Sequence, residues 1–336
     1  MGFLKGEVAV NKAVKTVLPL LAIAALCIVP FVSNNYVLTV LTTIMTTALL
    51  GQSWNILSGY GGQFSFGQAI FYGIGAYTAV ILYTRFGITP WLGAVVGMGI
   101  AMLIGVIIGY LTFYCKIKGD YFALATLAFA EIFRLAVYNS TSSSMFGGPG
   151  GIFISYIHGG SFSAFQFSSW KTYYFIIFSI LIVVTFGISK MQKTRYGLLL
   201  TSVRENELAA SSLGVNVLGF KLSAIAISAA IASLAGTFYA QYYLFIDPSS
   251  VFGSTVSMEA IIPCIIGGSG TPFGPILGAF LIVPIKEVTN TLFSNVGGIN
   301  MIIYGVLIVL FILFCPNGII GIFKKLKVGR RKGGNG

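Results

Sequence analysis

The sequence predicts an all-α, polytopic integral membrane protein of about ten transmembrane helices, with one short helix on its cytoplasmic face. Three observations lead there. Apolar residues gather in repeated runs near the roughly 20 residues that a helix needs to cross a bilayer. Of the 336 residues, 56% are hydrophobic and only 8% charged, where a soluble domain carries about 25% charge. The few basic residues sit in polar islands between the runs, concentrated on alternate sides of them.

The runs give candidate spans at 17–33, 36–57, 69–84, 91–115, 121–138, 172–189, 218–246, 255–267, 274–293 and 299–315. The first follows Lys5, Lys12 and Lys15 as a signal peptide would. No small-x-small cleavage pattern comes after it and a new run starts at Tyr36, so it reads as a membrane helix. Gly6 stands where a myristoylation signal needs Ser or Thr. The run 121–138 carries Glu131 and Arg134 and is expected to be shielded from lipid. The run 255–267 is short for a full crossing.

An even number of spans puts both termini on one side, and the basic residues assign that side to the cytoplasm. Sixteen of the twenty Lys and Arg residues fall there: at the N-terminus, at Lys116 and Lys118, between Lys190 and Lys221, and from Lys324 onward. Arg85 and Lys171 fall opposite, while Arg134 and Lys286 lie within spans. The predicted organisation is a cytoplasmic tail at 1–16, a single transmembrane domain at 17–323, and a basic cytoplasmic tail at 324–336. The longest cytoplasmic segment is 190–217.

Small residues mark close helix packing. Gly93, Gly97, Ala101, Gly105 and Gly109 recur every fourth residue through one span, the spacing that lets two backbones approach in lipid. Two glycine-rich turns echo each other: "LSGYGGQFSFGQ" before one span and "IIGGSGTPFGP" before another, each leading through Phe-Gly into a helix. One short echo is weak evidence of internal duplication.

Several function classes are excluded. The net charge of +12 is spread through loops rather than interleaved with aromatics on one surface, so no nucleic-acid partner is expected. Cys27, Cys115, Cys264 and Cys315 are far apart and His158 is the single histidine, so neither a metal site nor Ser-His-Asp chemistry is expected. "GGPGG" at 147–151 lacks the Lys and Ser/Thr of a phosphate loop, and "GIGAY" lacks the third glycine of a dinucleotide fingerprint. No catalytic residue and no cofactor is predicted.

What remains is charge inside spans and one amphipathic segment. Glu131 and Arg134 are three apart and share a helix face, as a structural tie or as the wall of a polar path. Lys286 and Glu287 need separate partners, and Glu259 falls near the start of a span, where an interfacial position is open to it. In "TSVRENELAASSLGV", Ser202 and Glu205 form a capping-box pattern and Gly214 is a natural stop. They predict a helix of about eleven residues, too short to cross. Two readings stand for it: a docking element or an amphipathic helix on the membrane surface.

Four stretches then resemble one family in their order along the chain: "LSGYGGQFSFGQAIFYGIGAYTA", "KGDYFALATLAFAEIFR", "TRYGLLLTSVRENELAASSLGVNV" and "IIGGSGTPFGPILGAFLIVP". The sequence resembles the permease subunits of ABC importers for branched-chain amino acids, of the M-type. The resemblance implies a permease of about ten helices in a bacterial inner membrane, paired with a second, H-type permease. It also implies two ATP-binding cassette subunits below and an extracytoplasmic binding protein above. The segment with Arg204, Glu205, Asn206, Glu207, Leu213 and Gly214 would be the coupling helix that an ATPase receives. Phe146 departs from the small polar residue expected in the outer glycine-rich turn. A zwitterionic solute needs hydrogen-bonding groups along an apolar passage; by residue type and location these are Gln63, Ser65, Gln68, Thr126 and Glu131. The alternatives are a permease for urea, amides or another small polar solute, a stand-alone secondary transporter, and, least supported, a membrane enzyme.

Overall fold

A computed structural model describes residues 26–141, 145–157, 160–292 and scattered positions between 302 and 321. Both tails, most of the spans expected at 17–33 and 299–315, and His158 lie outside the described residues.

Among the described residues the chain is helical with one two-residue strand pair. Residues 26–32 form the described part of the first span. Then follow α1 (Asn35–Trp54), a wide π-type turn (Asn55–Tyr60), α2 (Gln68–Phe86), α3 (Pro90–Tyr114), α4 (Asp120–Tyr138) and α5 (Trp170–Met191). Two short helices, α6 (Arg195–Glu205) and α7 (Glu207–Ser212), lead into α8 (Val217–Tyr243). The chain continues through α9 (Pro248–Phe252), α10 (Ser254–Gly267) and α11 (Gly274–Leu292). Among the described residues eight helical segments are long and apolar enough to cross a membrane, each overlapping an expected span. The short run at 255–267 reaches such a length because α9 precedes it: the apolar segment is Pro248–Gly267.

Local chemistry sets the boundaries. Gly87 ends α2 in a left-handed conformation, its N–H bonding the Tyr83 carbonyl while Ile88 N–H bonds that of Leu82. Pro90 opens α3, where its missing N–H costs nothing. In α1, the hydroxyls of Thr39, Thr43 and Thr46 each donate to the carbonyl four residues back, which satisfies them without water.

The central helix is α8, packed against α2, α3 and α1; α10 and α11 form a hairpin against α1. A Cβ on Gly236 would stand 1.9 Å from the Tyr72 carbonyl oxygen, and one on Gly75 2.0 Å from that of Ser233. The two glycines therefore admit the backbones of α2 and α8 reciprocally. Gly93, Gly97, Gly105 and Gly109 are buried along α3, where their Cβ positions face Ala79, Gly75, Ala229 and Ile225 of α2 and α8. Beyond α4, β1 (Ile152–Phe153) pairs antiparallel with β2 (Phe245–Ile246). The fully buried Gln166 stitches this cap, accepting from Ile157 N–H and donating to the Ser155 carbonyl.

Candidate functional site

Two regions at opposite ends of the bundle carry the polar chemistry. The first is built on the two glycine-rich turns, which the fold brings together. Asn55 joins them: its Nδ2 donates to the Thr271 carbonyl at 2.9 Å and its Oδ1 accepts from Gly270 N–H at 2.8 Å. Arg204 lies across the joint, with Nη1 donating to the Gly59 carbonyl at 2.7 Å and its other nitrogens holding Glu205. A Cβ on Gly62 would meet the Arg204 side chain at 2.5 Å, and one on Gly270 at 3.0 Å. Both have positive φ, so glycine is needed here twice over, for conformation and for room.

The segment beside this joint differs from the single capped helix expected at 202–214. It is two helices broken at Asn206, which is extended (φ −157°, ψ 104°) and whose side chain accepts from Ala209 N–H to cap α7. Thr194 caps α6. The Ser202 hydroxyl instead donates to the Leu199 carbonyl inside α6, so the S-x-x-E pattern marks no helix start. Burial explains why: Leu200 and Val203 are fully buried and carry α6 onward against the bundle. Gly214 is left-handed (φ 81°) beyond the end of α7.

Glu207 anchors α7. Its carboxylate pairs with Lys221 at the start of α8 and with Lys118 after α3, and it accepts weakly from Gln63 Nε2 at 3.4 Å. Burial alone would raise this carboxyl's pKa, but bonds and charges from Lys221 and Lys118 outweigh it and hold it below the usual 4.5. Leu208 and Leu213 point away, 77% and 84% exposed. The element is thus clamped to the bundle on one side and presents leucines on the other.

Of the five expected path residues, four are closed into helix joints. Gln63 and Ser65 are buried in the α1–α2 turn, where Trp54 Nε1 donates to the Ser65 carbonyl. Gln68 is fully buried and bonds Ser53 and Ser228. Thr126 accepts from Phe66 N–H. Glu131 pairs with Arg134 on α4 and is 45% exposed. The stripe Leu124, Ala128, Glu131, Leu135 faces outward from this single chain.

The second region escaped the sequence reading. At the end of the bundle away from α6 and α7, residues of α1, α2, α8, α9, α10 and α11 line a partly open cavity of about 350 Å³. Five threonines of α1 line it, with five tyrosines, Glu259, Lys286 and Glu287. Glu259 forms an ion pair with Lys286 of α11. The available signal was "TVLTTIMTT", threonines at helical spacing within a span. None of the five expected path residues lines this cavity.

A bundle of membrane-crossing helices with a short clamped helix pair at one end defines a polytopic membrane protein of permease type. The chain belongs to the family described as branched-chain amino acid transport system, permease component, which it matches over residues 36–312. It is 30% identical to the high-affinity branched-chain amino acid transport system permease protein LivM of Escherichia coli K12, across 96% of this chain and 80% of that protein. It is 24% identical to a probable LivM of Methanocaldococcus jannaschii over 67% of this chain and 70% of that one. A probable LivH of the same organism is 26% identical over 78% of this chain and 85% of its own length. No solved structure matches.

Proposed function

We propose that the chain is one permease of an ATP-driven importer for branched-chain amino acids, paired with a second, H-type permease in a bacterial inner membrane. Two ATP-binding cassette subunits drive it and an extracytoplasmic binding protein feeds it. Both termini are cytoplasmic, by the asymmetry of Lys and Arg.

The observation that carries the reading is the clamped α6–α7 pair. Leu208 and Leu213 supply the knobs that an ATPase groove receives. Arg204 and Glu207 face inward and pass its movement to the glycine joint, α3 and α8. Gln63 touches Glu207, so displacing α7 works on the α1–α2 turn directly. Opening that turn would free the amides of Gln63 and Gln68, with Ser65 and Thr126, to line the inner path. The second permease covers α4: a Glu131–Arg134 pair exposed on a span is costly against lipid and affordable against protein or water.

The test is reconstitution with both ATPases, the second permease and the binding protein. Wild type takes up labelled leucine with ATP. Leu208→Asp combined with Leu213→Asp loses ATPase co-purification and uptake, while Arg204→Ala and Glu207→Ala keep the ATPases but slow uptake. Uptake by this chain alone, driven by an ion gradient, would favour the secondary-transporter reading. Uptake of urea in place of leucine would move the solute class.

A further inference from the structure

We propose that the cavity between α1, α8, α10 and α11 holds one zwitterionic α-amino acid. The Lys286 ammonium takes the solute's carboxylate, and Glu259, with Glu287 beside it, takes the α-ammonium. This rests on the importer reading and deepens it by placing the solute within this chain.

The charges come first. Glu259 and Lys286 sit on facing helices within spans, their side chains are 39% and 41% exposed, and both line the cavity. The pair opens onto the cavity. Glu287 shares the wall and forms no salt bridge among the described residues. Three charges in apolar helices are expensive, and a ligand bearing both signs offsets that cost. A zwitterion inserted at the pair brings no net charge and leaves each ion with an opposite partner. A plain amine meets the two carboxylates but forgoes the bond to Lys286, and a plain acid adds a third carboxylate and no cation, so each makes only half of the contacts.

The hydroxyls argue separately. Thr39, Thr43 and Thr46 donate their protons to carbonyls one turn back; the Thr39 oxygen accepts from the Tyr242 hydroxyl, and Thr43 and Thr46 line the cavity with acceptor capacity left. Hydroxyls that can only accept suit an ammonium group, while the tyrosine hydroxyls on the same wall can donate to a carboxylate. Val40, Val256, Val283 and Phe238 complete the wall, giving an aliphatic side chain an apolar bed. The volume of about 350 Å³ is at the small end of ligand pockets, which run from about 300 to 1,000 Å³.

The test is equilibrium binding of radiolabelled L-leucine to the purified importer assembly, with ATP-dependent uptake measured in parallel. Competitors are 3-methylbutylamine, which lacks the carboxylate, and 4-methylpentanoate, which lacks the amine. In wild type each competes at least about tenfold more weakly than leucine, the size of one lost charged hydrogen bond. Lys286→Met weakens leucine and brings the amine level with it; Glu259→Gln brings the acid level. The double variant Glu259→Gln/Lys286→Met leaves neither member of the pair unpaired, so it elutes and unfolds like wild type yet has lost leucine binding. Wild-type affinity and analogue discrimination in the double variant overturn the proposal. If wild type imports leucine and the double variant does so with unchanged KM, only the site falls. If wild type neither binds nor imports branched-chain amino acids, the importer reading falls with it.

Discussion

The carboxylate at position 207 faces two ammonium groups of very different surroundings: the Lys221 side chain is 5% exposed and that of Lys118 59%. Losing the carboxylate strands Lys221, and uncompensated buried charges cost about 3–5 kcal/mol. Glu207→Gln is therefore expected to destabilise the protein more than Glu207→Gln combined with Lys221→Met, by thermal unfolding in detergent; equal losses would show that the pair is not coupled. Protonation acts on the same bond. Because the folded carboxyl titrates below its usual 4.5, its contribution is complete above that value and fades as pH falls through the lowered one. Amide protection at 207–212, measured against the intrinsic exchange rate at each pH, should fall over that acid range in wild type and stay constant in Glu207→Gln. Backbone contact gives a second prediction. A methyl group on Gly236 would meet the Tyr72 carbonyl at 1.9 Å, while one on Gly99 would meet nothing within 4 Å among the described residues. Gly236→Ala should lose about 1–3 kcal/mol through overpacking, and Gly99→Ala nothing, in the same unfolding assay.

The break between α6 and α7 is an element made by one side chain. α7 has six residues, far below the length at which a helix holds itself together in water, and Asn206 bonds one of its first free N–H groups. Asn206→Ala should cost about 1 kcal/mol, seen as lost amide protection confined to 207–212 with the spans unaffected; protection lost throughout α8 as well would mean that Asn206 serves the bundle. The sequence shows this element's place but not its shape. A capping pattern is a local signal, whereas burial of Leu200 and Val203 against the bundle decides where α6 continues. Elements whose lengths answer to the bilayer were legible: the boundaries of α2 through α5 fall within about two residues of the runs that announced them. The cavity was not, because Glu259 and Lys286 are 27 residues apart and meet only once α10 and α11 fold back on each other. Gln63 and Gln68 were conspicuous for residue type, and that signal does not separate an amide in a path from one that closes a helix joint.

At the scale of the whole molecule the outward surfaces differ in kind. On α5, Val183 and Phe186 are each 69% exposed, and no charged residue lies between Lys171 and Lys190, so this face suits lipid. On α4, Leu124 and Leu135 are 60% and 42% exposed and flank Glu131 on the same stripe, with Arg134 one turn along. A charge near the middle of a lipid-facing helix costs about 2.5–3.5 kcal/mol, so the α4 stripe is the surface on which the second permease is expected to sit. The measurement is cross-linking in a background with Cys27, Cys115, Cys264 and Cys315 replaced. Single cysteines at Leu124 and Leu135 should join the partner permease through a short bis-maleimide, and one at Val183 should not. A photoreactive probe dissolved in the bilayer should mark position 183 far more strongly than 124 or 135. Equal marking at all three, with no cross-link from α4, would place that stripe against lipid. Glu131 and Arg134 would then be a self-contained pair on the outside of the protein.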